Sequence, residues 1–79
     1  MKQVAIYTTP ICQYCQMAKD FFEENNIEYT EHNVQTDEDK RNEMIEKSGQ
    51  MGVPVITVDN EVVIGFDKEK LQNLLELQG

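Results

Sequence analysis

The stretch Val53-Pro54-Val55-Ile56-Thr57-Val58-Asp59-Asn60-Glu61-Val62-Val63-Ile64 limits the possible folds more than any other. Its first half is the most strand-like run in the chain. Asp59-Asn60 is a tight turn, so Glu61-Val62-Val63-Ile64 returns as the second strand of a β-hairpin. Pro54 opens the first of these strands, an allowed place for a residue that cannot donate to a sheet ladder. Near the other end, Val4-Ala5-Ile6-Tyr7 is a short apolar run without strict alternation, as expected of a central strand buried on both faces. Thr8-Thr9-Pro10 ends it.

Between these strands the apolar period changes. From Gln13 to about Glu24 it is helical, with Met17, Ala18, Phe21 and Phe22 on one side and Asn25-Asn26 as the stop. Residues 27–34, Ile27 to Val34, form a weaker strand, polar enough to sit near a sheet edge. Thr36 is the expected N-cap of a second helix, with acids across its first turn. That helix runs to about Lys47, packs thinly through Met44 and Ile45, and stops at Ser48-Gly49. Asp67 caps a last helix carrying Leu71, Leu74 and Leu75. The order is therefore β-α-β-α-β-β-α. The first β-α-β is parallel with a right-handed crossover, and the closing hairpin is antiparallel. An α/β fold of the thioredoxin-like type follows, a four-stranded mixed sheet with helices on both faces, in a single domain spanning 1–79.

The totals narrow the function classes. A chain of 79 residues with 39% hydrophobic side chains supports one modest core. Two cysteines are too few for the framework that staples small secreted domains. Met1-Lys2-Gln3 leads straight into the first strand without a signal peptide, and no apolar run approaches the ~20 residues of a membrane span. A cytoplasmic, monomeric protein is expected. Fifteen acidic residues against seven basic ones give a formal charge of −8. That field repels a phosphate backbone, so nucleic-acid binding is not expected.

The two cysteines, Cys12 and Cys15, stand three apart at the start of the first helix. A helix N-terminus offers unpaired N–H groups and partial positive charge, which favour an anion such as a thiolate. Cys-x-x-Cys beside a strand–helix–strand pattern reads as a redox motif. A permanent bridge between them would close so small a loop that it stabilises little. Two cysteines with a distant His32 do not complete a tetrahedral metal shell. His32 reads as a solvated strand residue, and Glu23-Glu24 and Asp37-Glu38-Asp39 as solvated helix faces.

Three segments together resemble one family. Tyr7-Thr8-Thr9-Pro10-Ile11-Cys12-Gln13-Tyr14-Cys15 resembles the glutaredoxin active-site segment, Gly52-Val53-Pro54 its Thr-Val-Pro, and Ile64-Gly65-Phe66-Asp67 its glycine turn into the last helix. The likeness implies a dithiol–disulfide oxidoreductase acting on protein disulfides or glutathione mixed disulfides. Cys12 would attack and the more buried Cys15 would resolve. A cis bond at Pro54 would set the Val53 backbone beside Cys12, where an extended thiol-bearing chain pairs with it like an added strand. Pro10, Gln13, Tyr14, Val53, Pro54, Gly65, Phe66 and Asp67 are the implied substrate-binding residues, with Tyr14 at the rim. No bound cofactor or metal is implied, and glutathione would be a co-substrate.

The departures from the family pattern are specific. Gln13 stands where proline is commonest and restores an N–H near Cys12, which lowers a thiol pKa if it donates. Gly52 replaces threonine and leaves more room near the site. Thr8 and Thr9 stand where glutathione-using members often carry a basic residue. Gly65-Phe66 looks like the turn of the NrdH-redoxins, which take electrons from thioredoxin reductase and reduce ribonucleotide reductase. The electron source is thus glutathione or thioredoxin reductase. An iron–sulfur carrier using the same cysteines is a further alternative, though carriers of this family usually have another motif.

Overall fold

The structure, a computed structural model, describes residues 3–76. Its elements are β1 (Val4–Thr8), α1 (Gln13–Glu24), β2 (Thr30–Asn33), α2 (Glu38–Ser48), β3 (Val55–Val58), β4 (Glu61–Ile64) and α3 (Lys68–Leu74). They build one mixed sheet in the order β2-β1-β3-β4. β1 runs parallel to β2, with Tyr7 opposite His32, and antiparallel to β3, with Tyr7 opposite Val55. β3 and β4 form the expected hairpin, with Val55 opposite Ile64. Asp59 takes a left-handed conformation in the turn. It also ties the hairpin to the start of β1: Gln3 N–H donates to Asp59 Oδ1 and Asp59 N–H donates to the Gln3 carbonyl, each at 2.8 Å.

β1 and β3 are central, and their lack of alternation follows from burial on both faces. Ile6 and Ile56 face α1 and α3, in a core with Ala18, Phe21, Phe22, Val63 and Leu71. Tyr7 and Val55 face α2, where Val34 and Met44 complete a smaller cluster. Each fully buried side chain of this size stabilises the fold by roughly 1.5–3 kcal/mol relative to leaving it in water. The thin packing expected of α2 is real, since Met44 is its one buried side chain among the described residues.

The structure departs from the sequence expectations at several places. Asp37, not Thr36, caps α2: its carboxylate accepts the Lys40 N–H at 3.1 Å, while Thr36 Oγ1 turns back toward the Asn33 carbonyl at 3.5 Å. Met17 lies outside the buried stripe and is 44% exposed. Cys15, Ala18 and Phe22 recur at three and four residues and set the inward direction, which leaves Met17 turned toward solvent. His32 is half-buried rather than solvated, its ring 5.2 Å from that of Tyr7. β2 is shorter than residues 27–34, and β3 begins at Val55, so Val53 and Pro54 precede the ladder. Leu74 and Leu75 are only half-buried, packed against the larger core.

Candidate active site

The strand, turn and helix that hold the cysteines follow from local chemistry. β1 ends at Thr8, and Cys12 N–H donates to the Thr9 carbonyl at 3.2 Å, closing a tight turn over Thr9-Pro10-Ile11-Cys12. Pro10 occupies the second position of that turn, where its fixed φ is already suitable. The turn delivers Cys12 as the N-cap of α1, in an extended conformation with φ −88° and ψ 110°. Its Sγ accepts the Cys15 N–H at 3.1 Å. A sulfur therefore occupies the place that a serine or aspartate oxygen usually takes at a helix start. No acidic residue lies in the first turn of α1, so none of its own side chains there competes for the positive end of the helix.

Cys12 and Cys15 are joined in a disulfide, with Cα atoms 5.2 Å apart. Cys15 is 1% exposed, whereas Cys12 is half-buried. The asymmetry comes from the helix: Cys12 stands at its mouth and Cys15 one turn in, on the face that meets the sheet. Ile11 and Tyr14 beside them are 90% and 63% exposed. The N–H that reaches Cys12 Sγ belongs to Cys15, the third helical residue. Gln13, the first, makes no such bond among the described residues, because an N-cap side chain meets the second or third N–H.

Tyr14, between the two cysteines in the chain, borders a cleft of about 510 Å³ that is also lined by Val53, Pro54, Ile64, Gly65, Phe66, Asp67 and Lys68. Tyr14, Val53, Pro54, Gly65, Phe66 and Asp67 of the expected binding residues thus share one surface. Pro10 and Gln13 are exposed and do not line it. The Val53-Pro54 peptide bond is cis. Gly65 N–H donates to the Pro54 carbonyl at 2.8 Å, which ties the glycine turn to the proline loop. Gly65 has φ +79°, a conformation that favours glycine. Phe66 packs edge-on against Phe21, ring centres 5.9 Å apart, and Asp67 caps α3 by accepting the Lys70 N–H at 3.1 Å.

Sequence reasoning missed two lining residues. Ile64 is an exposed apolar side chain at the end of the edge strand, and the run Glu61-Val62-Val63-Ile64, three apolar residues without alternation, gives no sign of it. Lys68 is the first residue of α3 and carries a cation to the cleft of an acidic protein. The expectation of added room at Gly52 is also overturned. A Cβ there would meet Gln50 Oε1 at 2.7 Å, because the Gln50 amide already fills the space.

At the end of β1, Thr8 Oγ1 donates to Glu31 Oε2 at 3.0 Å, and Lys19 Nζ donates to the same oxygen at 2.9 Å. The Lys19 hydrogen bond, helped by Thr8, holds the Glu31 carboxyl below its ordinary range against the opposing effect of burial. A broader depression of about 1840 Å³ is bordered by Tyr7, His32, Glu43 and Lys47; neither it nor the smaller cleft is lined by a cysteine, but Tyr14, which lies between Cys12 and Cys15 in the chain, borders the smaller one. Among the described residues no group of three or more His, Cys, Asp or Glu is arranged to hold a metal ion. No helix among them is long and apolar enough to cross a membrane.

Comparison with known proteins agrees with this geometry. The family model described as Glutaredoxin matches residues 4–63. An uncharacterized glutaredoxin-like 8.6 kDa protein in the rubredoxin operon of Clostridium pasteurianum is 38% identical over 73 residues, covering 92% of this chain and 97% of its own. Glutaredoxin 3 of Escherichia coli K12 is 36% identical over 67 residues, covering 85% and 81%. The crystal structure of a mutant of the thioredoxin-like protein BC3987 superposes with a TM-score of 0.91 at 37% identity, covering 99% of this chain and 100% of that one.

Proposed function

The chain belongs to the glutaredoxin family and is a thiol–disulfide oxidoreductase, and from that premise we propose that Cys12 is its attacking thiol and Cys15 its resolving thiol. The observation that carries this assignment is the position of Cys12 Sγ as the N-cap of α1, accepting the Cys15 N–H. In the reduced protein that N–H and the positive helix end stabilise a Cys12 thiolate. The thiolate attacks one sulfur of a substrate disulfide, forming a mixed disulfide and releasing the other substrate sulfur as a thiolate that takes up a proton. Cys15 then loses its proton and attacks Cys12 Sγ. The Cys12-Cys15 disulfide forms, the second substrate sulfur leaves and is protonated, and two electrons have passed to the substrate.

The cleft bordered by Tyr14 is the proposed substrate site. Val53 offers its backbone to an extended chain, Tyr14 covers the rim, and Gly65, Phe66 and Asp67 form the far wall. Pro10 acts through the turn that presents Cys12, and Gln13 through the exposed first helical position. The exposed apolar side chains Ile11 and Tyr14, on either side of the Cys12-Gln13 step, support disulfide-bearing proteins as substrates. A glutathione mixed disulfide is the second proposed occupant of the cleft, with Lys68 as a cationic partner for its carboxylates. We place the protein in the cytoplasm as a monomer, recycled by glutathione without a resident cofactor. A second reading, recycling by thioredoxin reductase, is favoured by Phe66, which replaces a second glycine and is anchored on Phe21.

Substitution separates the roles. Cys12→Ser abolishes all turnover. Cys15→Ser keeps reduction of a glutathione mixed disulfide, which needs one thiol, and loses catalytic reduction of a protein disulfide. Equal activity of the two variants on both substrates would contradict the assignment. Supplying either glutathione with its reductase or thioredoxin reductase alone, and following NADPH consumption, decides between the two recycling routes.

A further inference from the structure

The backbone next to the proline loop is held by a side chain that nothing in the redox chemistry requires. Gly52 N–H donates to Gln50 Oε1 at 2.6 Å, and Gln50 Nε2 donates to the Gly52 carbonyl at 3.1 Å. One primary amide thus satisfies both polar groups of a single residue, as a neighbouring β-strand would. Gln50 is itself fixed to α2. Its N–H donates to Ser48 Oγ at 3.4 Å, and the Ser48 hydroxyl donates to the Met44 carbonyl at 2.7 Å, with the Gln50 carbonyl 3.0 Å away. Met44 is fully buried. A continuous set of bonds therefore runs from the packed end of α2 through Ser48 and Gln50 to Gly52.

The direction of those bonds matters for the next residue. An N–H and a C=O that meet one amide point to the same side, the arrangement of an extended chain. Gln50 holds the Gly52 carbonyl, and because the Gly52-Val53 peptide is planar and trans the Val53 N–H points the opposite way, while Val53 lines the cleft beside Tyr14 and Phe66. Among the described residues the Val53 N–H and C=O make no bond to another backbone group. We propose that Gln50 is a positioning residue for substrate: its side-chain amide clamps Gly52 and so holds the Val53 peptide in the orientation that an incoming extended chain pairs with. The role rests on the reading of Val53 as the substrate-pairing backbone. It also assigns a reason to Gly52. A Cβ there would stand 2.7 Å from Gln50 Oε1. The flexible amide yields before the backbone does, so a side chain at position 52 opens the clamp.

The test uses the Cys15→Ser protein joined through Cys12 to a short cysteine-containing peptide as a stable mixed disulfide. Amide hydrogen exchange is then read at Gly52 and Val53, with and without Gln50→Ala. With Gln50 present, joining the peptide slows exchange at Val53. With Gln50→Ala, protection at Gly52 is lost and that at Val53 falls about 5- to 10-fold, the worth of one net hydrogen bond. If peptide attachment leaves Val53 unprotected even with Gln50 present, the pairing reading fails and the clamp has no role in binding. If Gly52 loses protection while Val53 keeps all of its own, pairing stands and the clamp proposal is overturned. Kinetics give a second readout in the dithiol protein. Gln50→Ala raises KM for a protein disulfide more than it lowers kcat, and Gln50→Glu, which keeps the acceptor for Gly52 N–H, falls between. The rate of Cys12 alkylation stays at the wild-type value, since Gln50 touches neither cysteine. Gly52→Ala reproduces the rise in KM alone and adds nothing to Gln50→Ala. A full additional effect of Gly52→Ala in the Gln50→Ala background would overturn the coupling between the two residues.

Discussion

The starts of α1 and α2 use one hydrogen-bonding device for two ends. In each, the side chain of the N-cap residue accepts the N–H three residues on, at 3.1 Å: Cys15 N–H to Cys12 Sγ in α1, Lys40 N–H to Asp37 Oδ1 in α2. α2 adds Glu38 and Asp39 in its first turn, and α3 repeats the pattern with Asp67 and Glu69. These carboxylates complement the positive helix end and stabilise the fold. α1 has none, in a chain carrying fifteen acids. Its cap is a sulfur, a weak acceptor while neutral and a strong one as an anion. At α2 the helix end contributes stability to a permanent charge. On the proposed assignment of Cys12, the same end at α1 is left for a charge that appears only when Cys12 is reduced. On that assignment the contrast accounts for both the placement of acids and the reactivity of the site.

Exchanging features between the two helix starts tests this contrast. The largest stability effect is expected at the structural cap. Asp37→Ala destabilises the protein by about 0.5–2 kcal/mol in denaturant unfolding, and leaves the alkylation rate of Cys12 at neutral pH unchanged. A smaller effect, on reactivity, is expected from giving α1 the acid that α2 has. Gln13→Glu sets a carboxylate at the first position of α1 and raises the Cys12 thiol pKa. At low salt this costs about 0.3–1 kcal/mol, or up to about fivefold in thiolate fraction near neutrality. An unchanged Cys12 titration in Gln13→Glu would show that the bare first turn is incidental.

The smallest effect is expected at Glu31. Its carboxyl is held below the ordinary value by Lys19 and Thr8, so the folded state binds its proton more weakly than the unfolded chain. The stabilisation it supplies is complete above the unfolded value near 4.5 and is lost as pH falls below that through the folded value. With the Glu31 side chain 42% exposed, the contribution is less than about 1 kcal/mol. Unfolding measured from pH 6 to pH 3 checks it: Glu31→Gln flattens the acid limb of the stability curve and changes little above pH 6.

How much of this was readable in the residues depends on how local the cause was. The tight turn at Asp59-Asn60, the proline turn before Cys12 and the glycine at Gly65 each rest on a few adjacent residues whose conformational preferences agree. The hairpin, the element order and the cysteine pair followed from them. Thr36 and Asp37 are adjacent and equally able to cap, and only the turn from Asn33 decides between them. Met17 sits at the margin of an apolar stripe whose direction is set by the sheet beneath, which periodicity alone does not contain. Gln50 was invisible because a glutamine that bonds the backbone two residues on leaves no pattern in the sequence. Its trace was the glycine at position 52, which reads equally well as empty space.

The claim that joins fold to function is that α1 delivers its positive end to Cys12. The direct measurement is the pH dependence of Cys12 alkylation in the reduced Cys15→Ser protein at low salt. The predicted result is a single titration with a midpoint well below the about 8.5 of a free cysteine, which moves upward in Gln13→Glu and stays in place in Asp37→Ala. A midpoint at or above that of a free cysteine would contradict it.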